Sequence, residues 1–158
     1  DDLRAAAPWF DAEGYVRKKY HPVFAGPAPE FIYMGGTRER MFRAEFGCSK
    51  YPFFKYSPGL FLRRGLHTIE GAPPAAAQGA VLHFKYLQDF KEKAFREAAR
   101  GAYWNASAEY KAYAERFRQE GDFSLWHPGA RRYEGWRQLV AARLMDAGTI
   151  AIPPEARP

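Results

Sequence analysis

The sequence predicts a mixed α/β chain of the α+β type, in which a few strands precede a helical C-terminal half. Two short apolar runs bounded by glycine, at 31–34 and 79–86, are typical of buried strands. After residue 87, apolar residues recur at the spacing of amphipathic helices. The strands are too few for a complete nucleotide-binding α/β domain, which leaves the mixed class.

The 158 residues are the size of one domain. We divide the chain into a strand and loop part at 1–86, C-terminal helices at 87–148 and a tail at 149–158. Cys48 is the only cysteine, which excludes an internal disulfide. No apolar run approaches the roughly 20 residues of a membrane helix, and Asp1 does not open a signal peptide. We expect a cytoplasmic location, with a peripheral membrane contact left open.

The net charge of +6 favours anionic partners, such as nucleotide diphosphates, nucleic acid or acidic membrane surfaces. The basic residues do not form one block, because Lys and Arg alternate with Glu in 91–100 and 109–120, as on solvated helix faces. Aromatic residues make up 17% of the chain, a fraction that suits either a thick core or a surface for stacking sugars or bases.

In the first half, Asp11 could cap a short helix that reaches residue 20, and the proline-containing stretch 21–30 is a loop. The strand at 31–34 ends at a double glycine. Thr37 then caps a helix over 38–46 that Gly47 ends. Extended segments at 50–56 and 60–62 would form a hairpin around a Ser-Pro-Gly turn, and 71–78 is a Pro/Ala loop.

In the second half, the strand at 79–86 leads into a helix over 87–100 that Gly101 ends. Asn105 or Ser107 caps the next helix, which Gly121 stops. Its inward stripe is Ala106, Tyr110, Tyr113, Ala114 and Phe117. An extended connector at 123–126 and a turn at 127–129 precede a last helix at 134–146, which turns Trp136, Leu139, Val140 and Leu144 inward.

Two places could carry chemistry. The strand at 79–86 would present His83 and Lys85 on one face near its C-terminal end, where ligands bind in open α/β sheets. Gly35 and Gly36 lie between a strand and a helix, where free backbone N–H groups can bind an anion. A tight turn that needs the freedom of glycine explains the same pair equally well.

Several short motifs resemble bacterial glycosyltransferases related to family 2. They occur in the order of that family and cover roughly residues 9–145: GGTRERMF at 35–42, SKYP at 49–52, GLH at 65–67, GAVLHFKYLQDF at 79–90 followed by KEK, and EAARGAYWN at 97–105. The resemblance implies the C-terminal portion of a GT-A-like fold. It also implies transfer of a sugar from a nucleotide-sugar donor to the hydroxyl of a carbohydrate or other acceptor.

In that family, an Asp-x-Asp motif and a later histidine bind the divalent metal, Mn²⁺ or Mg²⁺, that holds the donor diphosphate. By position, His83 resembles that histidine, and Lys85 would lie beside the diphosphate. Further substrate-binding candidates are Gly35, Gly36, Arg38, Lys50 and His67. The sequence lacks an Asp-x-Asp motif. We therefore expect an upstream half of the enzyme to supply it.

The catalytic base is left open, because Glu39, Glu70 and Asp89 are all available and nothing selects among them. The alternative to a transferase is a non-enzymatic basic module that binds nucleic acid or anionic glycans. The transferase interpretation expects no nucleic acid partner, since the aromatic residues mostly fall on apolar stripes and no RNA-binding signature appears.

Overall fold

The structure is a computed structural model that describes residues 3–20, 30–63, 65–72, 75 and 77–148. The predicted tail at 149–158 and nearly all of the loop at 21–30 lie outside these residues. Five helices and six strands occur in the described part. In chain order they are α1 (Leu3–Ala6), β1 (Trp9–Asp11), β2 (Tyr15–Tyr20), β3 (Glu30–Gly35), α2 (Gly36–Phe42), β4 (Phe61–Arg63), β5 (Thr68–Glu70), α3 (Phe90–Arg100), α4 (Trp104–Glu120), β6 (Ala130–Arg132) and α5 (Trp136–Ala141).

The mixed α plus β class is confirmed, and the described strands form three separate two-stranded antiparallel sheets. β2 pairs with β3 from Tyr15↔Gly35 to Tyr20↔Glu30. β4 and β5 form a short hairpin, and β1 pairs with the distant β6. A single bridge between Gln78 and Asp146 adds another long-range tie. Within the described ranges no helix combines the length and the apolar character of a membrane span.

The core is an aromatic cluster between α2, α3 and α4. Phe42, at the end of α2, is only 2% exposed and contacts five other rings with centroids 4.7–5.6 Å away. These rings are Tyr86, Phe90, Tyr113, Phe117 and Phe123. Most of the contacts are edge-on, the geometry that aromatic quadrupoles favour. Part of the high aromatic content therefore forms the core, while several other rings, such as Phe53 and Tyr56, are exposed.

The two long C-terminal helices confirm the helical periodicity. α3 ends where Gly101 adopts φ +65°, and α4 ends at Gly121. Tyr110, Tyr113, Ala114 and Phe117 are buried as predicted, whereas Ala106 is exposed. The start of α4 differs from the prediction, because residues 105–107 make a left-handed turn. The Ser107 hydroxyl accepts a bond from the preceding Tyr103 N–H, so it does not cap the helix.

The predicted strand at 79–86 is wrong. Residues 79–87 have no regular structure, and Val81 is 62% exposed. Lys85 N–H bonds the carbonyl of His83 at 2.9 Å, a three-residue turn that breaks the alternation of a strand. Among the described strands, none pairs with this segment.

Four other predicted elements need correction. Residues 11–20 form β1 and β2 rather than a helix, because Asp11 accepts the N–H groups of Glu13 and Gly14 in a local turn. Gly35, not Thr37, precedes α2, which ends at Phe42 where Arg43 is left-handed. The hairpin joins 61–63 to 68–70 instead of 50–56 to 60–62. α5 is shorter than 134–146, and its Val140 is exposed rather than inward.

Candidate functional site

Four of the predicted site residues influence one another electrostatically, although the sequence separates them by up to 47 positions. The positive charges of Lys85, Lys50 and Arg38 all help to lower the pKa of His83, and the charge of Glu109 opposes them. We call Arg38, Lys50, His83 and Lys85 the cationic cluster. Its members come from α2, from the loop after it and from the irregular segment before α3.

Glu109, on α4, joins two members of the cationic cluster. Its Oε1 lies 2.6 Å from Lys85 Nζ and 2.9 Å from Arg38 Nε. The Lys85 contact is a hydrogen bond. The Arg38 Nε–H does not point at the oxygen, so that contact is an ion pair without a hydrogen bond. Tyr113 also donates its hydroxyl hydrogen to the same oxygen. Two cations and a phenol therefore share one carboxylate.

The pKa of Glu109 is lowered by this arrangement. Burial raises the pKa, but the charge of Arg38 and the hydrogen bonds from Lys85 and Tyr113 outweigh it. Sequence reasoning missed Glu109. The available signal was its place four residues before Tyr113, which puts a carboxylate beside the buried stripe of α4. A charged residue in that position requires a cationic partner from another element.

Lys85 is held between the carboxylate and two rings. Its side chain is 9% exposed, and Nζ lies 4.8 Å from the ring centre of Tyr113 and 5.1 Å from that of Tyr110. Burial lowers its pKa, although the hydrogen bond to Glu109 opposes the shift. Lys85 is thus a positioned, partly desolvated cation rather than a lysine that reaches from a sheet edge into water.

His83 lies at the exposed side of the cluster. Burial contributes most to lowering its pKa, and the neighbouring cations add to the effect. At neutral pH the imidazole is therefore uncharged and can accept a hydrogen bond or bind a metal. Because of the turn between them, His83 and Lys85 are neighbours without sharing the face of a strand.

Gly35 and Gly36 are required by close packing. A Cβ atom on Gly35, where φ is +104°, would lie 1.7 Å from the carbonyl oxygen of Gly14. The N–H of Gly36 donates to the same oxygen at 3.0 Å, so it is not available to an anion. α2 has seven residues, too few for a strong dipole. Of the two explanations for this glycine pair, an anion site and a tight turn, these contacts favour the tight turn.

His67 lies beside the loop that carries Lys50. Its Nδ1 is 2.8 Å from the carbonyl oxygen of Ser49, which places the proton on Nδ1. The Ser49 hydroxyl accepts the N–H of Tyr33, and Tyr51 N–H bonds the carbonyl of Leu66. β3, the 48–51 segment and the β4–β5 turn are therefore tied side by side. His67 therefore lies beside the backbone of Ser49, the residue that precedes Lys50.

The described residues alone do not fit a bare divalent cation. His83 is one suitable ligand, but its closest charged neighbours are mostly cations and Glu109 is already shared by two of them. Across the described ranges, no group of three His, Cys, Asp or Glu side chains has the arrangement of a metal site. The cluster fits an anion better. Metal binding at His83 stays a prediction that needs ligands from elsewhere.

A second polar cluster, absent from the sequence predictions, surrounds Asp11. The carboxylate of Asp11 is fully buried and accepts Arg40 Nε–H at 2.9 Å. His127 Nε2 lies 3.3 Å from the same oxygen, too poorly aligned for a hydrogen bond, and Gly129 N–H donates to His127 Nδ1. This cluster ties β1 to α2 and to the turn before β6. No sequence signal links position 11 to position 127.

A shallow groove of about 310 Å³ lies between β1, β6 and α5, next to the Asp11 cluster. Glu13 and Arg131 line it and form an exposed ion pair at 3.1 Å. The rest of the lining is mainly apolar, from Phe10 and two alanines of α5 and its end. The two charged residues of its lining pair with each other in solvent, so the cationic cluster is the stronger candidate site.

Comparison of the chain with protein-family models, with curated proteins and with solved structures gave no match.

Proposed function

We propose that the cationic cluster binds the diphosphate of a nucleotide-sugar, and that the chain contributes this surface to a glycosyltransferase. The observation that carries the proposal is that Arg38 and Lys85 meet at Glu109, at 2.9 and 2.6 Å, and that their charges and that of Lys50 act on His83. With one carboxylate among three cations and a neutral imidazole, the cluster keeps a net charge of about +2, which complements a diphosphate. The motif resemblance supports the same ligand.

The members of the cluster would have different roles. Lys50 is exposed and free to approach a phosphate from solvent. Lys85 and Arg38 are held in place through Glu109, so little side-chain entropy is lost when an anion arrives. Fixed cations of this kind stabilise the charge that develops on a leaving diphosphate during sugar transfer. His83, at the exposed rim of the cluster, would accept a hydrogen bond or bind a metal.

Two parts of the transferase proposal rest on the resemblance alone. A divalent cation, when bound, would neutralise diphosphate charge, and His83 would supply one of its ligands. The upstream half of the enzyme would supply the acidic ligands, and the acceptor would be a carbohydrate or another hydroxyl compound. GT-A topology belongs to the proposal as well.

The test is calorimetric titration of the chain with uridine, guanosine and adenosine diphosphates, with and without Mn²⁺. We expect one of them to bind, and we expect Lys50→Ala to weaken binding about fivefold, the effect of losing one ionic contact. Lys111→Ala is the matched control. Lys111 is an exposed lysine on α4, about 200° round the helix from Glu109.

Two results would refute the proposal for this chain. One is the absence of binding to every diphosphate in both conditions. The other is equal weakening by Lys50→Ala and Lys111→Ala, which would show that only net charge matters. Loss of the Mn²⁺ dependence in His83→Ala, with binding otherwise kept, would support His83 as a metal ligand. Unchanged Mn²⁺ dependence would remove it from that role.

A basic binding module remains the second candidate, because exposed aromatic residues lie in the same loop as two exposed lysines. Phe53 and Tyr56 are 95% and 74% exposed, with Lys50 before them and Lys55 between them. Such surfaces can stack bases while neutralising phosphates. Binding of a single-stranded oligonucleotide or heparin that falls steeply with salt, without competition from nucleoside diphosphates, would favour this function.

A further inference from the structure

The loop between α2 and β4 exposes an unusual amount of aromatic surface. Phe53 is 95% exposed, Tyr56 74%, Phe61 58% and Phe54 42%. Residues 43–60 have no helix or strand. We call residues 50–61 the aromatic loop. It presents on the order of 500 Å² of aromatic surface to water, which matches the largest apolar patches of typical monomers.

The charge of the aromatic loop has one sign. No Asp or Glu occurs between Phe46 and Phe61, whereas Lys50 and Lys55 lie in this stretch and both are exposed. Exposed aromatic rings with basic residues beside them complement a surface that has an apolar interior and an anionic outer layer. This is the composition of a membrane interface with acidic headgroups.

We propose that the aromatic loop inserts Phe53, with Phe54 and Tyr56, into the interface of a bilayer that contains anionic lipids. The occupant is a lipid surface because the loop is small, basic and exposed throughout residues 52–59. A stable complex between proteins buries about 800 Å² on each partner, more than this loop offers. Phe53 and Phe54 lack hydrogen-bonding groups, so the apolar region below the headgroups suits them. This inference does not depend on the proposed glycosyltransferase function.

The test is co-sedimentation of the chain with vesicles of phosphatidylcholine alone and of phosphatidylcholine mixed with phosphatidylglycerol. We expect binding to the mixed vesicles. The double variant Phe53→Ser, Phe54→Ser should partition into the vesicles at least about tenfold more weakly, because burying a single phenyl ring in the bilayer already strengthens binding by about that factor. Lys55→Gln should weaken binding to mixed vesicles about fivefold and leave the weak binding to neutral vesicles unchanged.

Trp126→Ser is the matched control, because Trp126 is 57% exposed but lies outside the aromatic loop. It should bind mixed vesicles like the unchanged chain. Phe53→Trp should keep the affinity and add a blue shift of the fluorescence on vesicle binding. Circular dichroism of each variant confirms folding, and residues this exposed can be replaced without loss of core contacts.

Five outcomes would overturn the proposal. The unchanged chain fails to bind mixed vesicles, or the double serine variant binds as well as the unchanged chain. Trp126→Ser loses as much binding as the double variant. Alternatively, light scattering without lipid shows a dimer that the double variant abolishes, which would assign the loop to a second copy. Loss of oligonucleotide binding in the double serine variant, with its vesicle binding unaffected, would assign the aromatic loop to nucleic acid.

Discussion

Replacing Glu109 by glutamine tests the electrostatic arrangement of the candidate site. The substitution keeps the shape of the side chain but leaves Lys85 and Arg38, whose side chains are 9% and 15% exposed, without their shared carboxylate. Breaking a fully buried ion pair costs about 3–5 kcal/mol. Because a quarter of the Glu109 side chain reaches solvent, we expect Glu109→Gln to lower the free energy of unfolding by about 2–3 kcal/mol.

The measurement is urea and thermal unfolding at several pH values. The expected loss corresponds to a fall of about 5–10 °C in the melting temperature. Since the pKa of Glu109 is lowered in the folded chain, its stabilisation is present above its ordinary pKa of 4.5 and is lost as the pH falls through the lower folded value. Glu109→Gln should remove that part of the acid dependence.

Glu115→Gln is the control on the same helix, because Glu115 is 55% exposed and pairs with Arg118 on the surface. It should change stability by less than about 0.5 kcal/mol. The reasoning is refuted if the two variants are equally stable, or if Glu109→Gln unfolds in acid along the same curve as the unchanged chain.

Three further substitutions test the packing, each followed by urea unfolding. Phe42→Ala should cost about 3–5 kcal/mol, since it empties the centre of the aromatic core, whereas Phe53→Ala at an exposed position should cost less than about 0.5; similar values would contradict the core assignment. Gly35→Ala should prevent or severely weaken folding, because its Cβ meets a carbonyl at 1.7 Å, while Gly65→Ala, at φ +59° and in open space, should cost only about 1 kcal/mol. Asp11→Asn should cost about 2–4 kcal/mol, because its amide would face two N–H donors; an unchanged free energy of unfolding would show that the Asp11–Arg40 ion pair does not stabilise the fold.

Local patterns predicted the parts of the fold that local forces decide. The helix periodicity and the terminal glycines located α3 and α4, because amphipathic spacing and positive φ act within a few residues. Asp11 was correctly interpreted as a group that accepts backbone N–H bonds. It does so in a turn between two strands instead of at a helix start, and local chemistry alone does not distinguish the two.

The failures share a cause, which is dependence on a distant partner. The run at 79–86 has the composition of a strand but pairs with none of the described strands, and instead Tyr86 packs against Phe42. The basic members of the candidate site were predicted from the sequence, whereas Glu109, the carboxylate that joins two of them, was not predicted. Burial of a charge depends on tertiary contacts, which a single sequence does not specify.

The pairing of β1 with β6 determines the order in which the chain can fold. Trp9 meets Arg132 across about 120 residues, and closing a loop of that length costs about 4 kcal/mol of chain entropy. α3 and α4 are separated only by residues 101–103, so their hairpin forms from local contacts. We expect pulsed hydrogen exchange to protect the α3–α4 amides first and those of β1 and β6 last. The reverse order would contradict this folding sequence.

Because the Asp11 cluster is assembled from both ends of that pairing, its buried carboxylate loses contact with water only in the final step. Until then, we expect the segment before β2 and the segment after α4 to be open to proteases. A chain that ends before residue 127 would keep the α3–α4 hairpin but would lack the β1–β6 pairing and the His127 contact to Asp11.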